Sequence, residues 1–356
     1  MIPLSPWLLA LASGVLAFGM FAAYRAVMGR RMRQSFREAG PEHHKLKGAV
    51  PTGAGIVFVV LLLLAGIIAF PYVEAGTPSG RLGMYVCLAA ALMGLLGWID
   101  DRRKVVLGSE GLKARYKFPV MIAVGLGLLY FISTYFVEWQ QALALTGDKL
   151  PWPVGAPWWL FYSIGLFVWL GALNGANFTD GLDGLLTGTT LVVLAGAFYA
   201  LLDGTDPEAL PAAVGFGALV AFLYFNRKPA RLYMGDSGAL AVGALVAGLF
   251  LAKGWWLFLG LAAVVWVIEV TSVMLQVGSY RTLHRRIFLM SPLHHHFELA
   301  GLSETVIVWL FIGLQVLGCA TAIAWLRLGL VWGLAGTALL LIIIALLLAC
   351  YRRRVR

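Results

Sequence analysis

Charged residues are scarce in this chain of 356 residues: Asp, Glu, Lys and Arg together make up only 12% of it. Hydrophobic residues account for 61%, and the mean hydropathy is +0.86. This balance is far from that of a soluble globular protein. The scarcity of charge therefore excludes a soluble globular class and indicates a polytopic membrane protein.

Cysteine is also rare, and Cys87, Cys319 and Cys350 all lie in or beside apolar stretches. They are too few, and too apolar in their setting, for a disulfide framework or a thiolate metal site. The first apolar stretch lacks both a polar leading region and a small-residue cleavage site, so we expect a retained helix and not a removable signal peptide.

Long apolar stretches follow one another along nearly the whole chain. A helix needs roughly 20 apolar residues to cross the hydrocarbon core. The stretches at 211–226 and 238–252 are short, and the glycines of the second indicate close helix packing and not lipid exposure. We predict an all-α transmembrane bundle with eleven spans, near residues 3–28, 51–71, 83–99, 118–136, 158–175, 185–202, 211–226, 238–252, 255–277, 305–326 and 329–350.

Lys and Arg residues are distributed unevenly between the loops. If the N-terminus is outside, 23 of the 27 lie on inner segments or at their edges, and only Arg81, Lys149, Lys253 and Arg327 lie outside. Because cytoplasmic loops carry such an excess, we expect the inner segments to face the cytoplasm. The net charge of +10 is then an orientation signal that also attracts anionic lipid, and we expect no nucleic-acid partner. The inner segments are 29–50, 100–117, 176–184, 227–237, 278–304 and the tail after 350.

Two adjacent acids, Asp100 and Asp101, close the third predicted span on this inner side. That helix runs from outside to inside, so both carboxylates lie at its negative dipole end, where acids are disfavoured unless a cation compensates them. Lys104 and the neighbouring arginines supply the cation if the cluster is a solvated surface network. A divalent metal supplies it equally well.

Two further acidic segments lie on the same side. Residues 177–185 place Asp180 and Asp183 among glycines in a loop without any basic residue, which is costly at a membrane surface in the absence of a ligand. Asp236 opens the eighth span, where an Asp is also a good helix N-cap. Three acidic segments on one face favour a shared Mg²⁺, since hard cations take carboxylate oxygens and bridge phosphates.

Basic and histidine segments complete this face. Lys47 and Thr52 precede the second span, where a helix N-terminus favours an anion such as phosphate, although a positive-inside flank is the simpler interpretation. The run from His294 to His296 is a poor zinc site, because consecutive side chains diverge and no Cys completes a tetrahedron. Histidines close to a pyrophosphate fit the pattern better. Glu269, inside the ninth span, fits either a functional or a packing role.

Taken in chain order, these segments resemble the polyprenyl-phosphate N-acetylhexosamine-1-phosphate transferases. Within that superfamily the triple histidine, segment 269–279 and segment 111–117 are similar to the phospho-N-acetylmuramoyl-pentapeptide transferase branch. The similarity extends from about residue 43 to residue 326. The motifs that carry it are Lys47 with Pro51-Thr52, Asp100-Asp101, Asn177 to Gly184, Gly235 to Gly238, and Pro292 to Glu298.

The resemblance implies transfer of phospho-N-acetylmuramoyl-pentapeptide from UDP-N-acetylmuramoyl-pentapeptide to undecaprenyl phosphate, with release of UMP and a requirement for Mg²⁺. It implies Asp236 as the metal ligand, with Asp100 and Asp101 as further candidates, and it makes these three acids and His294 the catalytic set. The implied nucleotide and phosphate pocket contains Lys47, Thr52, Lys104, Asn177, Asp180, Asp183, Asn226, His295 and His296.

The expected chemistry is mainly positioning and charge neutralisation. A phosphate monoester has a second pKa of about 6, so the lipid phosphate is largely dianionic at pH 7 and needs no strong base. We expect it to attack the sugar-linked phosphorus directly, with Asp100 orienting or deprotonating it. A covalent aspartyl-phosphate route stays open.

The sequence departs from the family pattern in three places. Gly48 to Gly55 differs from the usual Gly-Thr-Pro-Thr-Met-Gly-Gly, and Arg102 stands where Tyr is usual. The third departure is an apolar stretch and a basic tail beyond the ten family spans. We predict a transferase domain over residues 1–326 and, over 327–356, an eleventh helix that returns the C-terminus to the cytoplasm.

Two other functions stay open: a related transferase that uses a UDP-N-acetylhexosamine without peptide, and a cation-coupled transporter. The triple histidine argues against the first. The second is weakened because the acids cluster at one surface and not at the midplane. We expect a multi-pass protein of the bacterial cytoplasmic membrane, in contact with lipid and with its site facing the cytoplasm, and the resemblance leaves room for a homodimer.

Overall fold

The computed structural model describes residues 5–32, 50–74, 78–107, 111–144, 157–201 and 209–352. In these ranges the chain forms a bundle of helices joined by loops, as predicted. The helices are α1 Pro6–Met28, α2 Ile56–Glu74, α3 Pro78–Leu107, α4 Ala114–Ala144, α5 Trp158–Thr179, α6 Leu185–Leu201, α7 Ala209–Asn226, α8 Gly235–Ala252, α9 Trp256–Ala262, α10 Val264–Leu283, α11 Leu293–Leu299, α12 Glu304–Leu328 and α13 Leu330–Arg352.

Each predicted span falls on one of these helices, except the ninth, which contains α9 and ends within α10. In the described part of the chain, α1, α3, α4, α5, α8, α12 and α13 are each long and apolar enough to cross a membrane. Helices α2, α6 and α7 have shorter apolar stretches of 10–17 residues, and α9 with α10 qualifies only as a bent pair. The all-α polytopic bundle predicted from the sequence is therefore confirmed.

Helix α8 is the centre of the bundle, with 94% of its residues buried and α2, α3 and α5 packed around it. Its neighbours approach closely because small residues line the contacts. A Cβ on Gly97 of α3 would overlap the carbonyl of Asp236, and one on Gly55 would overlap the backbone of Gly238. This close packing places the cytoplasmic end predicted for α3 directly beside the start of α8.

The ninth predicted span, 255–277, is not one straight helix. The structure divides it at Ala263 into α9 and α10, which meet at 87°. A broken helix leaves backbone groups without partners, and inside a membrane these must be satisfied by protein. The buried Gln315 side chain of α12 satisfies two of them: its Nε2 donates to the carbonyl of Ala262, and its Oε1 accepts from the amide of Val265 at 3.2 Å.

Replacing Gln315 with Leu should therefore lower the free energy of unfolding by about 1–3 kcal/mol, the cost of leaving buried backbone groups unpaired. Thermal unfolding of the purified protein in detergent measures the change. Val316→Ala is the matched control, because Val316 is half exposed on the same helix and its side chain has no group that could hydrogen-bond to the broken backbone. Equal unfolding midpoints for Gln315→Leu and Val316→Ala would remove Gln315 from the support of the bend.

The eleventh predicted helix is present as α13. It packs along α12, while residues such as Val331, Leu341 and Leu346 are exposed, as expected for a helix that faces lipid. Near its end the ring of Tyr351 lies 5.4 Å, centroid to centroid, from that of Phe297 in α11. The basic tail beyond residue 352 lies outside the described residues, so the predicted return to the cytoplasm stays a prediction.

Candidate active site

Four polar segments meet at one end of the bundle. They are the end of α3, the loop after α5, the loop between α7 and α8, and the short helix α11. Asp101 contacts the start of α8, Asp183 accepts a hydrogen bond from the amide of Ala230, and Gly181 lies against His294. The prediction that the acidic and histidine segments share one face is therefore confirmed.

Asp101 caps the central helix. Its Oδ1 and Oδ2 accept hydrogen bonds, each 2.9 Å long, from the backbone amides of Asp236 and Ser237 in the first turn of α8. These amides have no partner within their own helix, and a carboxylate there also suits the positive end of the helix dipole. Asp101 thus takes the capping role that the sequence offered to Asp236, and both of its oxygens are engaged.

Asp100 and Asp236 are joined by two lysines. Nζ of Lys104 lies 2.6 Å from Oδ2 of Asp100 and 2.9 Å from Oδ1 of Asp236. Nζ of Lys117, from the first turn of α4, lies 3.2 Å from Oδ2 of Asp100 and 2.5 Å from Oδ2 of Asp236. The cation that Asp100 requires is therefore supplied by two ammonium groups within the cluster, the buried Lys104 and the half-buried Lys117, and not by a solvated surface network.

Lys117 is the residue of this cluster that the sequence did not single out as a site residue. Its signal was weak, because a lysine at the inner end of a span is expected from membrane orientation alone. Asp100 is held further by the amide of Leu112, which donates to Oδ1. The loop before α4 therefore closes over Asp100, and a Cβ at Gly111 would collide with its carboxylate.

The donor set decides how a Mg²⁺ ion fits here. The described residues contain no group of three or more His, Cys, Asp or Glu side chains arranged to hold a metal by themselves. Mg²⁺ is usually bound by one or two carboxylates together with substrate phosphates. Asp236 and Asp100 meet that requirement, and their lysine partners can instead pair with phosphate. Asp101, whose oxygens both accept backbone hydrogen bonds, is the less suitable of the candidate ligands.

Thr52 lies beside this cluster in the loop that leads to α2. Its carbonyl accepts a hydrogen bond of 2.7 Å from the hydroxyl of Tyr24, and its amide donates to the carbonyl of Met32. Its side chain is buried next to Gly235, where φ is +69° and a Cβ would press on both Thr52 and Asp101. Lys47, the other residue predicted in this segment, lies outside the described residues.

Asn226 and Asp183 fasten two of the loops together. Oδ1 of Asn226 accepts hydrogen bonds from the amide of Gly184 and the hydroxyl of Thr187, and its Nδ2 donates to the carbonyl of Leu232. Asp183 accepts from the amide of Ala230 at 3.0 Å and from the hydroxyl of Tyr233 at 3.3 Å. Both predicted site residues therefore shape the loops around the cluster.

Asp180 follows the last turn of α5, where Asn177 is half buried. Burial raises the pKa of Asp180 to about 8, and the Asp236 and Asp101 carboxylates add to the increase while Lys104 opposes it. At neutral pH much of Asp180 is therefore protonated and can donate a hydrogen bond to an anionic oxygen.

The three histidines diverge, as predicted. His294 is buried and pairs through Nδ1 with Glu269 at 3.1 Å, whereas His295 pairs with Glu298 one turn along at 2.6 Å. His296 Nδ1 accepts a hydrogen bond from the amide of Leu289, and burial lowers the pKa of His296, which favours the neutral ring. His294 therefore lies nearest the acidic loops, while His296 holds the loop before α11.

Comparisons with known proteins agree with this geometry. Residues 83–254 match the family described as glycosyl transferase family 4. The phospho-N-acetylmuramoyl-pentapeptide-transferase of Heliobacterium modesticaldum is 39% identical over 286 residues, which is 79% of this chain and 86% of the relative. Those of Lacticaseibacillus paracasei and Bacillus subtilis are 37% and 35% identical, over 85% and 79% of this chain and 91% and 86% of theirs. The chain belongs to the phospho-N-acetylmuramoyl-pentapeptide-transferase family.

Proposed function

We propose that this protein transfers phospho-N-acetylmuramoyl-pentapeptide from its UDP carrier to undecaprenyl phosphate, which forms the first lipid-linked intermediate of peptidoglycan synthesis and UMP. Family membership supports the reaction. The single structural observation that carries the site is the pair of lysines, Lys104 and Lys117, that bridges Asp100 and Asp236 where the polar loops meet. Two ammonium groups beside two carboxylates suit a site that handles several phosphates.

In the proposed step an oxygen of the lipid phosphate attacks the sugar-linked phosphorus of the UDP donor. The new P–O bond forms as the bond from that phosphorus to the bridging oxygen breaks, and UMP leaves with the bridging oxygen. Asp100 orients the incoming phosphate, and Lys104 and Lys117 stabilise charge on the oxygens of the pyrophosphate. Asp236 and Asp100 would hold Mg²⁺, which when bound neutralises phosphate charge.

The proposed location is the cytoplasmic face of the bacterial inner membrane. The supporting observation is the distribution of charge: the polar segments that meet at the site belong to the inner set that holds most of the Lys and Arg residues. A water-soluble UDP donor is accessible from that side, while the lipid carrier is reached from within the bilayer.

The test is an assay of purified protein in detergent with undecaprenyl phosphate, Mg²⁺ and one UDP donor at a time. UDP-N-acetylmuramoyl-pentapeptide should give UMP and a lipid-linked product. Turnover only with UDP-N-acetylhexosamines would move the protein to the related branch, and no UMP with any donor would defeat the proposal. A phosphorylated enzyme that forms with donor alone would replace direct attack with the covalent route.

The state of Asp180 gives a prediction about pH. Below pH 8 the carboxyl of Asp180 is largely protonated and, like the amide of an Asn, can donate a hydrogen bond. As the pH rises through about 8, the wild type loses this donor, whereas an Asn at position 180 keeps it. Asp180→Asn should therefore keep kcat within about tenfold at pH 7, and the ratio of variant to wild-type kcat should rise from pH 7 to pH 9.

The measurement is the rate of UMP release across that pH range at saturating substrates. The groups that act electrostatically on Asp180 are Asp236, Asp101, Asp183 and Lys104. A ratio that falls from pH 7 to pH 9 would show that the ionised form of Asp180 is the one required, and a flat ratio would show that titration of Asp180 does not affect the reaction.

A further inference from the structure

Glu269 is a carboxylate fully buried in α10, and no step of the proposed transfer uses it. Its Oε2 accepts a hydrogen bond of 2.6 Å from the amide of Leu293, and its Oε1 accepts from the amide of His294 at 3.2 Å. Oε1 also lies 3.1 Å from Nδ1 of the His294 ring. A buried charge requires such compensation, and here the first turn of α11 and its imidazole provide it.

The other ring nitrogen of His294 is different. The ring is 1% exposed, and Nε2 has no hydrogen-bond partner among the described residues. A buried nitrogen without a partner costs free energy unless a missing ligand satisfies it. Since Nδ1 is held by Glu269, Nε2 is the atom left to meet that ligand.

Gly181 shows where Nε2 points. A Cβ built at Gly181 would overlap Nε2 of His294, so this nitrogen lies directly against the loop that carries Asp180, and that approach is possible only because position 181 has no side chain. The same loop lies close to the carboxylates of the site, as shown by the effect of Asp236 and Asp101, which both raise the pKa of Asp180. Nε2 therefore faces the side of the pocket where phosphate oxygens would lie.

We propose that Glu269 is a positioning residue for His294: its carboxylate accepts a hydrogen bond from Nδ1–H and directs Nε2–H of the imidazolium to a non-bridging oxygen of the donor pyrophosphate. This inference rests on the proposed function and deepens it. The negative charge of Glu269 balances the imidazolium within the protein, and a charge-assisted hydrogen bond to phosphate satisfies Nε2. Partners that orient a functional histidine in this way are known to matter for activity.

The test is a double-mutant cycle of Glu269→Gln and His294→Ala in the full-length protein. Glu269→Gln should lower kcat by about 10- to 100-fold, as loss of an orienting partner does at other histidine sites. It should lower kcat by less than about threefold when His294 is already Ala, because there is then no ring to orient. Equal losses in both backgrounds would overturn the proposal, since a purely structural carboxylate acts regardless of the ring.

Gly181→Ala is the second arm, and it keeps the cycle decisive if Glu269→Gln does not fold. It leaves the cap of α11 intact and places a methyl group against Nε2, so Gly181→Ala should lower kcat in the wild type. In the His294→Ala variant, which has no ring at this position, Gly181→Ala should change kcat much less. No effect of Gly181→Ala in the wild type would refute the assigned direction of Nε2. The wild-type protein is assayed first, and its inactivity would instead count against the proposed function.

Discussion

Asp236→Asn is expected to lower kcat by about 10³-fold, the upper end of the loss when one electrostatic contact of a reacting group is removed. Asn has the same shape but no charge, so the two ion pairs from Asp236 to Lys104 and Lys117 are lost together. The fold should persist, because Asp101 caps α8 through the backbone amide of residue 236 and not through its side chain. The proposed Mg²⁺ ligand disappears with the same substitution.

The measurement is UMP release over a titration of Mg²⁺, accompanied by thermal unfolding to confirm that the variant is folded. Glu304→Gln is the matched control. It removes a buried carboxylate that is also paired with a lysine, Lys228 at 3.0 Å, but lies outside the cluster, and kcat should stay within about threefold. Mg²⁺-dependent turnover that survives in Asp236→Asn would contradict the assignment of Asp236 as the Mg²⁺ ligand.

The acids of the site can be predicted from the sequence because of their setting. A membrane protein with few charges has little reason to keep Asp100, Asp180 or Asp236 at the ends of apolar spans, so each stands out against its surroundings. Charge distribution then places them on one face before any contact is known. The structure adds the contacts between these segments, which local sequence does not specify.

The different roles of Asp100 and Asp101 could not be predicted from the sequence. Successive residues on a helix point about 100° apart, so the two carboxylates must face different neighbours, but the sequence does not say which. Packing of α3 on α8 decides it: Asp101 meets the amides of α8 and Asp100 meets the lysines. A motif of two adjacent acids therefore contains one structural cap and one residue that faces the pocket.

The bend between α9 and α10 was missed for a similar reason. Residues 255–277 contain neither a proline nor a polar interruption before Glu269, so hydropathy predicts one continuous span. The partner that satisfies the broken backbone, Gln315, lies 50 residues further along the chain. The bend matters for the site because α10 carries Glu269, which in turn holds His294.

Lys117→Met is expected to lower kcat by about 10²-fold, because it removes one of two cations from a site that binds phosphates. The variant also leaves Asp100 and Asp236 with Lys104 as their only ammonium partner among the described residues. Lys117→Arg should recover only part of the loss, since a planar guanidinium cannot replace a compact ammonium between two carboxylates. UMP release at saturating substrates measures each variant.

Lys113→Met is the control for general loss of positive charge. Lys113 is exposed, lies four residues earlier on the same segment and makes no contact with the carboxylates, so kcat should change by less than about threefold. Lys117→Met should also cost much less when added to Asp236→Asn, because residues in one ion-pair network do not act additively. Equal losses for Lys113→Met and Lys117→Met would mean that the positive charge of the inner surface, and not the lysine bridge between Asp100 and Asp236, supports the reaction.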